Sequence, residues 1–341
     1  MWKQNHSNNR FPGKPGLPGQ GHRCAVAAAA ALLLAGGLAD GSMTAVCTAQ
    51  ELPVSVSETE TEQAMPQEAL PAGETWPSMP HMSYEEYPKV DGSLACVPLM
   101  EALIMEVTGC TEAQAEESLV DFSNTNPSYE QLTYGAVELI LSYEASADTK
   151  SRLNDLADLE LMPVGKDALV FLVNAGNPVE NLTQEQICDI YRGNITQWSE
   201  VGGEAAPIKA FQRRENSGSQ TLMRLLLMGD EEIPEKQMVR IEGMEGLIDA
   251  LVEFDNSANA IGYSVYYYAS SMYHQDNLKF LAVDGVSPDR DTIRTGSYPL
   301  TNPFYVGTGK QSGENAIRLR DWLLSEEGQR FVEAQGYVSA G

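Results

Sequence analysis

The sequence lacks positive charge, with 22 lysines and arginines against 48 aspartates and glutamates and a formal net charge of −26 over 341 residues. Nucleic acids and anionic membrane surfaces attract the basic faces of proteins, so this deficit argues against both as partners. The four histidines are too scattered for a metal site or a catalytic triad. No G-x-S-x-G, Walker or H-E-x-x-H motif is present, so we expect neither a catalytic activity nor a cofactor.

Cysteines are few and show no spacing typical of a metal cluster. Cys96 and Cys110 bracket a predicted helix of about 14 residues, which spans about 20 Å. A disulfide needs two Cα atoms within about 7 Å of each other, so a bridge between these two cysteines is disfavoured.

An apolar run long enough to cross a membrane is also missing. The run at residues 24–39, CAVAAAAALLLAGGLA, is shorter than the roughly 20 residues of a membrane-spanning helix. It follows a stretch with four basic and no acidic side chains. This order is typical of a secretory signal, and we assign residues 1–49 to a signal or anchor segment. An anchor that is retained in the mature protein is the alternative.

Residues 50–89 have little apolar periodicity and hold eight glutamates against one lysine. This composition is typical of a disordered linker, which we place at residues 50–86. The folded domain is then expected at residues 87–341.

From residue 87 onward, short apolar runs of β type alternate with helical patterns, and no internal repeat is visible. This alternation predicts an α/β fold with mostly parallel strand pairing. Predicted strands lie at residues 120–123, 138–142, 168–174, 208–211 and 260–265. Predicted helices lie at residues 97–107, 129–134, 184–191, 219–228, 244–254, 312–324 and 327–335.

The stretch FQRRENSGSQT at residues 211–221 combines a strand end, a small polar turn and a helix start. The first N–H groups of a helix lack intrahelical acceptors and lie at its positive end, so such a turn can bind an oxyanion. Arg213 would add charge-assisted hydrogen bonds. Ser217 or Ser219 could instead serve only as the N-cap of the helix.

The R-x-x-x-S-G-S pattern of this turn resembles the R-x-D-G-S-G-T anion turn of the phosphate-binding proteins of bacterial ABC transporters. Further segments resemble that family in the same order, from about residue 87 to the C-terminus. They are DGSLACVPLMEAL from Asp91, NTNPSYEQL from Asn124, KDALVFLVNAGN from Lys166, NLTQEQICDIYRGNITQWSEVGGEAAPI from Asn181, AIGYSVYYYA from Ala260 and YPLTNPFYVGTGK from Tyr298.

The resemblance implies a two-lobed periplasmic-binding-protein-like fold of type II, in which each lobe is a mixed, mostly parallel sheet flanked by helices. One lobe would comprise about residues 87–163 and 278–341, and the other about residues 164–277. Ligands of open α/β sheets bind beyond the carboxyl ends of the strands, where this fold would bring three loops together.

The resemblance also implies the residues that bind the anion. The loop before the helix at residue 97 would offer the backbone N–H groups of Cys96 and Val97. Cys96 replaces a threonine of the family, and its thiol is a weaker donor than a hydroxyl. Thr125 matches an anion-binding serine or threonine of the second loop, although it could also cap the following helix. The third loop would contribute Arg213, Ser217, Gly218 and Ser219.

Two carboxylates would make the site selective for phosphate. A protonated phosphate can donate a hydrogen bond to a buried carboxylate, whereas sulfate cannot, and the difference is of order 1–3 kcal/mol. Glu215 matches an aspartate of the family's anion turn, and Glu144 lies near the position of a second family carboxylate. Either glutamate could instead be a solvated surface residue.

The function that the resemblance implies is capture of inorganic phosphate between two lobes of a monomer and its delivery to the permease and ATPase subunits of an ABC importer. A phosphate-responsive sensor or surface module without a transporter is one alternative, and a binder of sulfate or molybdate is another. The expected location is extracytoplasmic, either secreted or anchored to the membrane. Cys47 follows the apolar run and is a candidate for lipidation, although it departs from the lipoprotein pattern at the residues just before it.

Overall fold

The computed structural model describes residues 75–119, 122–229, 238–241, 244–253 and 257–341. The expected signal or anchor segment, Cys47 and residues 50–74 of the expected linker lie outside the described residues. The strand predicted at residues 120–123 lies half outside them as well, and residues 122 and 123 are not part of a strand.

The strands agree with the apolar runs of the sequence, with one large difference. The predicted strands at residues 138–142, 208–211 and 260–265 are confirmed to within two residues at each end. The strand predicted at residues 168–174 begins earlier, at Leu159. Its first half is not predicted because Pro163 and Gly165 interrupt the apolar pattern there. The described strands are β1 (Val90–Gly92), β2 (Leu139–Ser142), β3 (Leu159–Asn174), β4 (Asn181–Leu182), β5 (Lys209–Arg213), β6 (Met238–Ile241), β7 (Ala260–Val265), β8 (Leu278–Phe280), β9 (Ala282–Val283), β10 (Thr301–Gly309) and β11 (Val338–Ser339).

All seven predicted helices are present in the structure. The helix predicted at residues 129–134 begins earlier, at Thr125. Pro127 argues against a helix in the sequence, but it lies in the first turn, where a proline is tolerated. The described α-helices are α1 (Val97–Thr108), α2 (Glu112–Ser118), α3 (Thr125–Thr133), α4 (Ala147–Arg152), α5 (Gln184–Arg192), α6 (Gly218–Met223), α7 (Met244–Glu253), α8 (Arg290–Thr295), α9 (Glu314–Leu323) and α10 (Glu326–Ala334). A π-helical turn at Arg224–Met228 continues α6.

Nine of the described strands form one large sheet in the order β1-β2-β10-β3-β7-β5-β6, with β8 and β11 also paired to β3, and β4 and β9 form a separate two-stranded sheet. The long strand β3 changes partner along its length: residues up to Ala168 pair with β10, and residues from Leu169 pair with β7. We infer that the two lobes divide at this change, between residues 168 and 169, whereas the sequence predicts a boundary at residues 163–164. Lobe 1 then holds β1, β2, β10, β11 and the first part of β3. Lobe 2 holds β5, β6, β7 and the rest of β3, together with β8, whose residues the sequence predicts for lobe 1.

The pairing is mixed, and parallel pairs do not dominate it. Among the described strands, β1 with β2, β4 with β9, β5 with β6 and β5 with β7 are parallel. The five pairs that involve β3 or β10 are antiparallel, because these two strands run against the direction of their neighbours in both lobes. The expectation of mostly parallel pairing is confirmed for β1 and β5, the strands that precede α1 and α6. It is wrong for the crossing strands β3 and β10.

The crossing strand also passes through the centre of the core. Residues 168–173 of β3 are all buried, as a continuous apolar run predicts for a strand covered on both faces. The ring of Phe171 lies 6.1 Å from that of Tyr191 and 6.2 Å from that of Tyr263, between centroids. One buried cluster therefore joins α5, β3 and β7.

The segment before residue 87 packs on the folded domain, although its composition resembles that of the linker. The ring of Trp76 packs edge-on against Phe331 of α10 at 5.4 Å, and Met79 is buried. The backbone N–H of Ser78 donates to the Glu327 carboxylate at 2.9 Å. The packed chain therefore begins at least at Trp76, which is earlier than the boundary expected from composition.

Candidate functional site

The candidate turn lies between β5 and α6, as the sequence predicts. β5 ends at Arg213, and Ser217 occupies the N-cap position of α6. Asn216 has a φ of +65°, in the left-handed region that asparagine enters more readily than most other residues. Residues 213–219, called the anion turn from here on, thus join the carboxyl end of a strand to the first turn of a helix.

Two buried hydroxyl groups distinguish the anion turn. Ser219 is fully buried, and the Oγ atoms of Ser217 and Ser219 have no hydrogen-bond partner among the residues that the structure describes. The Ser217 side chain does not cap the backbone of α6, so capping does not account for it. Because most buried polar groups in proteins are hydrogen-bonded, two neighbouring exceptions indicate groups that can bind a ligand.

Arg213 contributes the positive charge of the turn. Its side chain is buried, whereas that of Arg214 is exposed. Burial lowers the pKa of the Arg213 guanidinium, but an arginine stays protonated at neutral pH. Burying a cation is costly and a bound anion reduces that cost. Of the two adjacent arginines, Arg213 is therefore the one that brings a buried positive charge to the turn.

A chain of hydrogen bonds holds the anion turn against the sheet and α6. The Arg213 N–H donates to the Tyr263 hydroxyl at 2.9 Å, and that hydroxyl donates to Gln220 Oε1. Gln220 Nε2 donates at 3.3 Å to Glu215 Oε1, which also accepts from Arg224 Nη2 at 2.7 Å. Burial raises the pKa of Tyr263, so its hydroxyl keeps the proton that it donates.

A second polar cluster lies in lobe 1, around Ser93. The Ser93 hydroxyl is hydrogen-bonded to Thr125 Oγ1 at 2.7 Å and to Ser142 Oγ at 3.0 Å, and it accepts from the Tyr143 N–H at 2.9 Å. Ser93, Thr125 and Ser142 are all buried. The hydroxyls of this cluster therefore bind one another, and they fix the position of Thr125.

The two lobes meet where Thr125 faces the anion turn. A Cβ atom added at Gly218 would lie 2.5 Å from Thr125 Oγ1, closer than two such atoms can approach. Glycine is therefore required at this position by the close approach of the other lobe, and not by backbone conformation. Of the residues that the sequence predicts for the site, the structure brings Thr125 and Gly218 into this contact, and Ser217 and Ser219 flank it in sequence.

The backbone N–H groups of Cys96 and Val97, the donors expected for an anion, form hydrogen bonds within their own loop. The Cys96 N–H donates to the Ser93 carbonyl at 2.8 Å, and the Val97 N–H donates to the Leu94 carbonyl within a 3₁₀ turn. Both side chains are buried in the core, and burial raises the pKa of the Cys96 thiol. In this structure the two N–H groups are therefore engaged within the loop, and their role as donors to an anion stays a prediction.

The two glutamates also differ from the expectation of buried carboxylates. The Glu215 side chain is 47% exposed and pairs with Arg224. Glu144 forms an ion pair with Lys150 of α4 and accepts from the Tyr305 hydroxyl. Glu215 is therefore not a buried carboxylate in this structure, whereas the role of Glu144 as an acceptor for a phosphate proton stays a prediction.

Two carboxylates that no sequence motif singles out, those of Asp91 and Asp167, are buried. Asp91 accepts from the Gly92 N–H at 2.7 Å and from the N–H and hydroxyl of Ser123. Asp167, on the crossing strand, accepts from the Tyr143 hydroxyl and from the Tyr267 N–H at 3.2 Å, and burial raises its pKa to about 6. The only sequence signal was a charged residue at the edge of an apolar run.

Across residues 75–341, as far as they are described, no helix has the length and apolarity to cross a membrane. No group of three or more metal-ligating side chains is found in that part of the chain. A surface groove of about 370 Å³ lies between α10 and the C-terminus, and none of its lining residues belongs to the anion turn.

Comparison with known proteins decides the family. A family model described as the PBP superfamily domain matches residues 111–327, more than half of the chain. The chain belongs to the PBP superfamily. The matched range contains Thr125, the whole anion turn and both parts of the crossing strand β3.

Two relatives with a described role are similar to this chain in sequence. It is 27% identical over 176 residues to a phosphate-binding protein PstS of Borreliella burgdorferi, and this match covers 50% of the chain and 63% of the relative. It is 25% identical over 257 residues to a phosphate-binding protein PstS of Bacillus subtilis, covering 73% of the chain and 79% of the relative. The chain thus spans just under two thirds of the first relative and about four fifths of the second.

Solved structures place the chain in the type II fold of the PBP superfamily. A phosphate ABC transporter substrate-binding protein from Clostridium perfringens, described with bound phosphate, is 26% identical with a TM-score of 0.58. The match covers 74% of this chain and 98% of that protein. An ABC-type phosphate transport receptor from Vibrio cholerae has 20% identity and a TM-score of 0.55, covering 73% of this chain and 98% of the receptor, and supports the fold alone.

Proposed function

We propose that this chain is an extracytoplasmic solute-binding protein that captures inorganic phosphate between its two lobes and delivers it to an ABC importer. The observation that carries the proposal is the pair of buried hydroxyls of Ser217 and Ser219 beside the buried cation Arg213. A tetrahedral oxyanion matches such a turn, because it accepts several hydrogen bonds and carries the opposite charge.

The relatives narrow the choice of oxyanion. The named relatives are phosphate-binding proteins, and the Clostridium perfringens structure is described with bound phosphate. The net charge of −26 repels any anion at long range. Local donors must therefore supply the affinity, and this makes the contribution of the anion turn decisive.

Sulfate is the second candidate ligand, because Glu215, the carboxylate expected to reject it, is not buried in the structure. Glu215 is half exposed and paired with Arg224, so it does not supply a buried carboxylate that rejects an unprotonated anion. Discrimination between phosphate and sulfate is then expected to depend on the remaining geometry of the turn.

The test is calorimetric titration of the full chain with phosphate, sulfate and molybdate at neutral pH. The proposal expects phosphate to bind with a Kd of about 1 μM or below, and sulfate and molybdate about 100-fold more weakly. Equal affinity for phosphate and sulfate would change the ligand class to oxyanions in general. An absence of binding for all three anions would overturn the proposal.

The transporter partnership is a separate part of the proposal. We propose that the chain acts as a monomer without catalytic activity and serves permease and ATPase subunits; its similarity to an ABC transporter substrate-binding protein supports the transporter part of this proposal. Cells that lack the chain should lose high-affinity uptake of radiolabelled phosphate. If uptake is unchanged while the purified chain still binds phosphate, the alternative function of a phosphate-responsive sensor is favoured. Mass analysis of the native protein would show whether Cys47 carries a lipid or the signal is cleaved.

A further inference from the structure

One buried side chain crosses from lobe 1 to the anion turn of lobe 2. Asn126, in the first turn of α3, is 3% exposed. Its Nδ2 atom donates to the Asn216 carbonyl at 2.5 Å and lies 3.4 Å from Thr221 Oγ1. Its Oδ1 atom accepts from the Ser146 N–H at 2.7 Å. The amide thus holds lobe 1 with its oxygen and lobe 2 with its nitrogen.

The carbonyl that Asn126 binds belongs to the residue that reverses the anion turn. Asn216 has a φ of +65°, the left-handed conformation that turns the chain back on itself here and that asparagine adopts more readily than most residues. Asn216 immediately precedes Ser217, so its peptide orientation sets the direction in which the following serines point. A bond to this carbonyl therefore controls the part of the turn that carries the buried hydroxyls.

We propose that Asn126 is a positioning residue of the anion site, which fixes the turn at Asn216 from the opposite lobe and favours the closed arrangement of the two lobes. This inference rests on the proposed capture of an anion between the lobes. The Asn126–Asn216 bond exists only when the lobes are together, so it stabilises the closed form relative to an open one. A site held in its binding geometry binds more tightly, because less ordering accompanies the arrival of the ligand.

A purely structural role for Asn126 is the alternative, and the chain offers a matched control for it. Asn177 is also 3% exposed, and its Nδ2 donates to the Ala258 carbonyl at 3.0 Å while its Oδ1 accepts from the Val179 N–H at 2.9 Å. All three residues of this second arrangement lie within lobe 2. The two asparagines therefore have similar burial and bonding, and they differ in whether they join the lobes.

The test compares Asn126→Asp with Asn177→Asp in the full chain. Aspartate keeps the shape and the acceptor oxygen but replaces the donating nitrogen, so it repels the carbonyl that asparagine binds. Asn126→Asp should weaken phosphate binding by about tenfold or more, chiefly through faster dissociation. Without ligand, it should also speed amide hydrogen exchange in peptides that cover residues 211–221.

The control separates these effects from a general loss of stability. Asn177→Asp should lower Tm but leave the phosphate affinity within about twofold and hydrogen exchange at residues 211–221 unchanged. If Asn126→Asp behaves in the same way as this control, the positioning role is overturned while the proposed function stands. If Asn126→Asp does not fold, Asn126→Ala removes the donor without adding charge and is measured in its place.

The two proposals fail in different ways. If the unmodified chain binds no phosphate, the proposed function is overturned, and hydrogen exchange in the ligand-free protein alone decides the role of Asn126. Faster exchange at the anion turn in the Asn126 variant only would support the bond between the lobes. Equal exchange in the two asparagine variants would contradict it.

Discussion

The loop at residues 93–97 and the anion turn differ in what their polar groups already bind. In the first loop, the N–H groups of Cys96 and Val97 and the hydroxyl of Ser93 all have partners within the protein. In the anion turn, the hydroxyls of Ser217 and Ser219 have none among the described residues. Both loops precede a helix, so a helix start alone does not identify a binding site. The two hydroxyls without an internal partner are what distinguishes the anion turn from the loop at residues 93–97.

The largest expected effect separates the two adjacent arginines of the anion turn. Arg213→Ala should weaken phosphate binding by about 1,000-fold or more, because it removes a charge-assisted interaction in a buried site. Arg214→Ala is the control, and it should change the affinity by less than about threefold because its side chain is exposed. Calorimetry of both variants would show this, and the opposite ranking would mean that the wrong arginine has been assigned.

Gly218→Ala should separate binding from stability. Alanine has a higher helix propensity than glycine, so the substitution by itself should stabilise the first turn of α6. The added Cβ would nevertheless meet Thr125 Oγ1 at 2.5 Å across the lobes. We expect phosphate affinity to fall about 100-fold while Tm in the absence of ligand falls only slightly, because the gain in helix propensity offsets part of the clash. A fall in Tm with unchanged affinity would show that the lobes do not approach each other here during binding.

Ser219→Ala tests whether a hydroxyl without an internal partner serves the ligand. A hydrogen bond to a charged group contributes about 1.5–3 kcal/mol, so the affinity for phosphate should fall about 10- to 100-fold. Stability without ligand should rise slightly, because an unsatisfied buried hydroxyl is removed. Thermal unfolding with and without phosphate measures both effects, and a lower Tm without ligand would assign the hydroxyl a structural role.

Glu215→Gln should have a small effect, because the side chain is half exposed and pairs with Arg224. An exposed ion pair contributes about 0–1 kcal/mol, so the affinity should change by less than about threefold. Titrations of this variant with phosphate and with sulfate should give nearly the same ratio of the two affinities as the unmodified protein gives. A large gain in sulfate affinity would restore Glu215 as the carboxylate that selects phosphate.

Cys96→Thr should leave the affinity unchanged and lower the stability. The thiol is fully buried and the neighbouring N–H is bonded to Ser93, so a new hydroxyl costs about 1–3 kcal/mol without reaching the ligand. Chemical denaturation and calorimetry measure the two quantities separately. Tighter phosphate binding in this variant would show that residues 93–97 open toward the anion.

The parts of the fold that depend on local patterns could be predicted from the sequence. The strand β7 and the helix α5 follow directly from their apolar runs and capping residues. The anion turn could be predicted because strand end, polar turn and helix start follow one another along the chain. The change of partner along β3 could not, since it depends on residues more than 90 positions away.

The same limit applies to the site. Arg213, Ser217 and Ser219 are predicted by one short motif. A local motif does not show which carboxylates are buried or which N–H groups are already hydrogen-bonded, because contacts within the folded chain decide both. The Glu215 carboxylate pairs with Arg224, and the Cys96 N–H donates to the Ser93 carbonyl. The link between Asn126 and Asn216 joins residues 90 positions apart, and no local pattern predicts it.

A crystal structure of the protein with phosphate tests the central claim most directly. The account predicts that phosphate oxygens lie about 2.7 Å from the hydroxyls of Ser217 and Ser219 and within hydrogen-bond distance of the Arg213 guanidinium. It also predicts that the N–H of Cys96 still donates to the Ser93 carbonyl. A phosphate bound by the N–H groups of Cys96 and Val97, with the two serine hydroxyls still lacking a partner, would contradict the account.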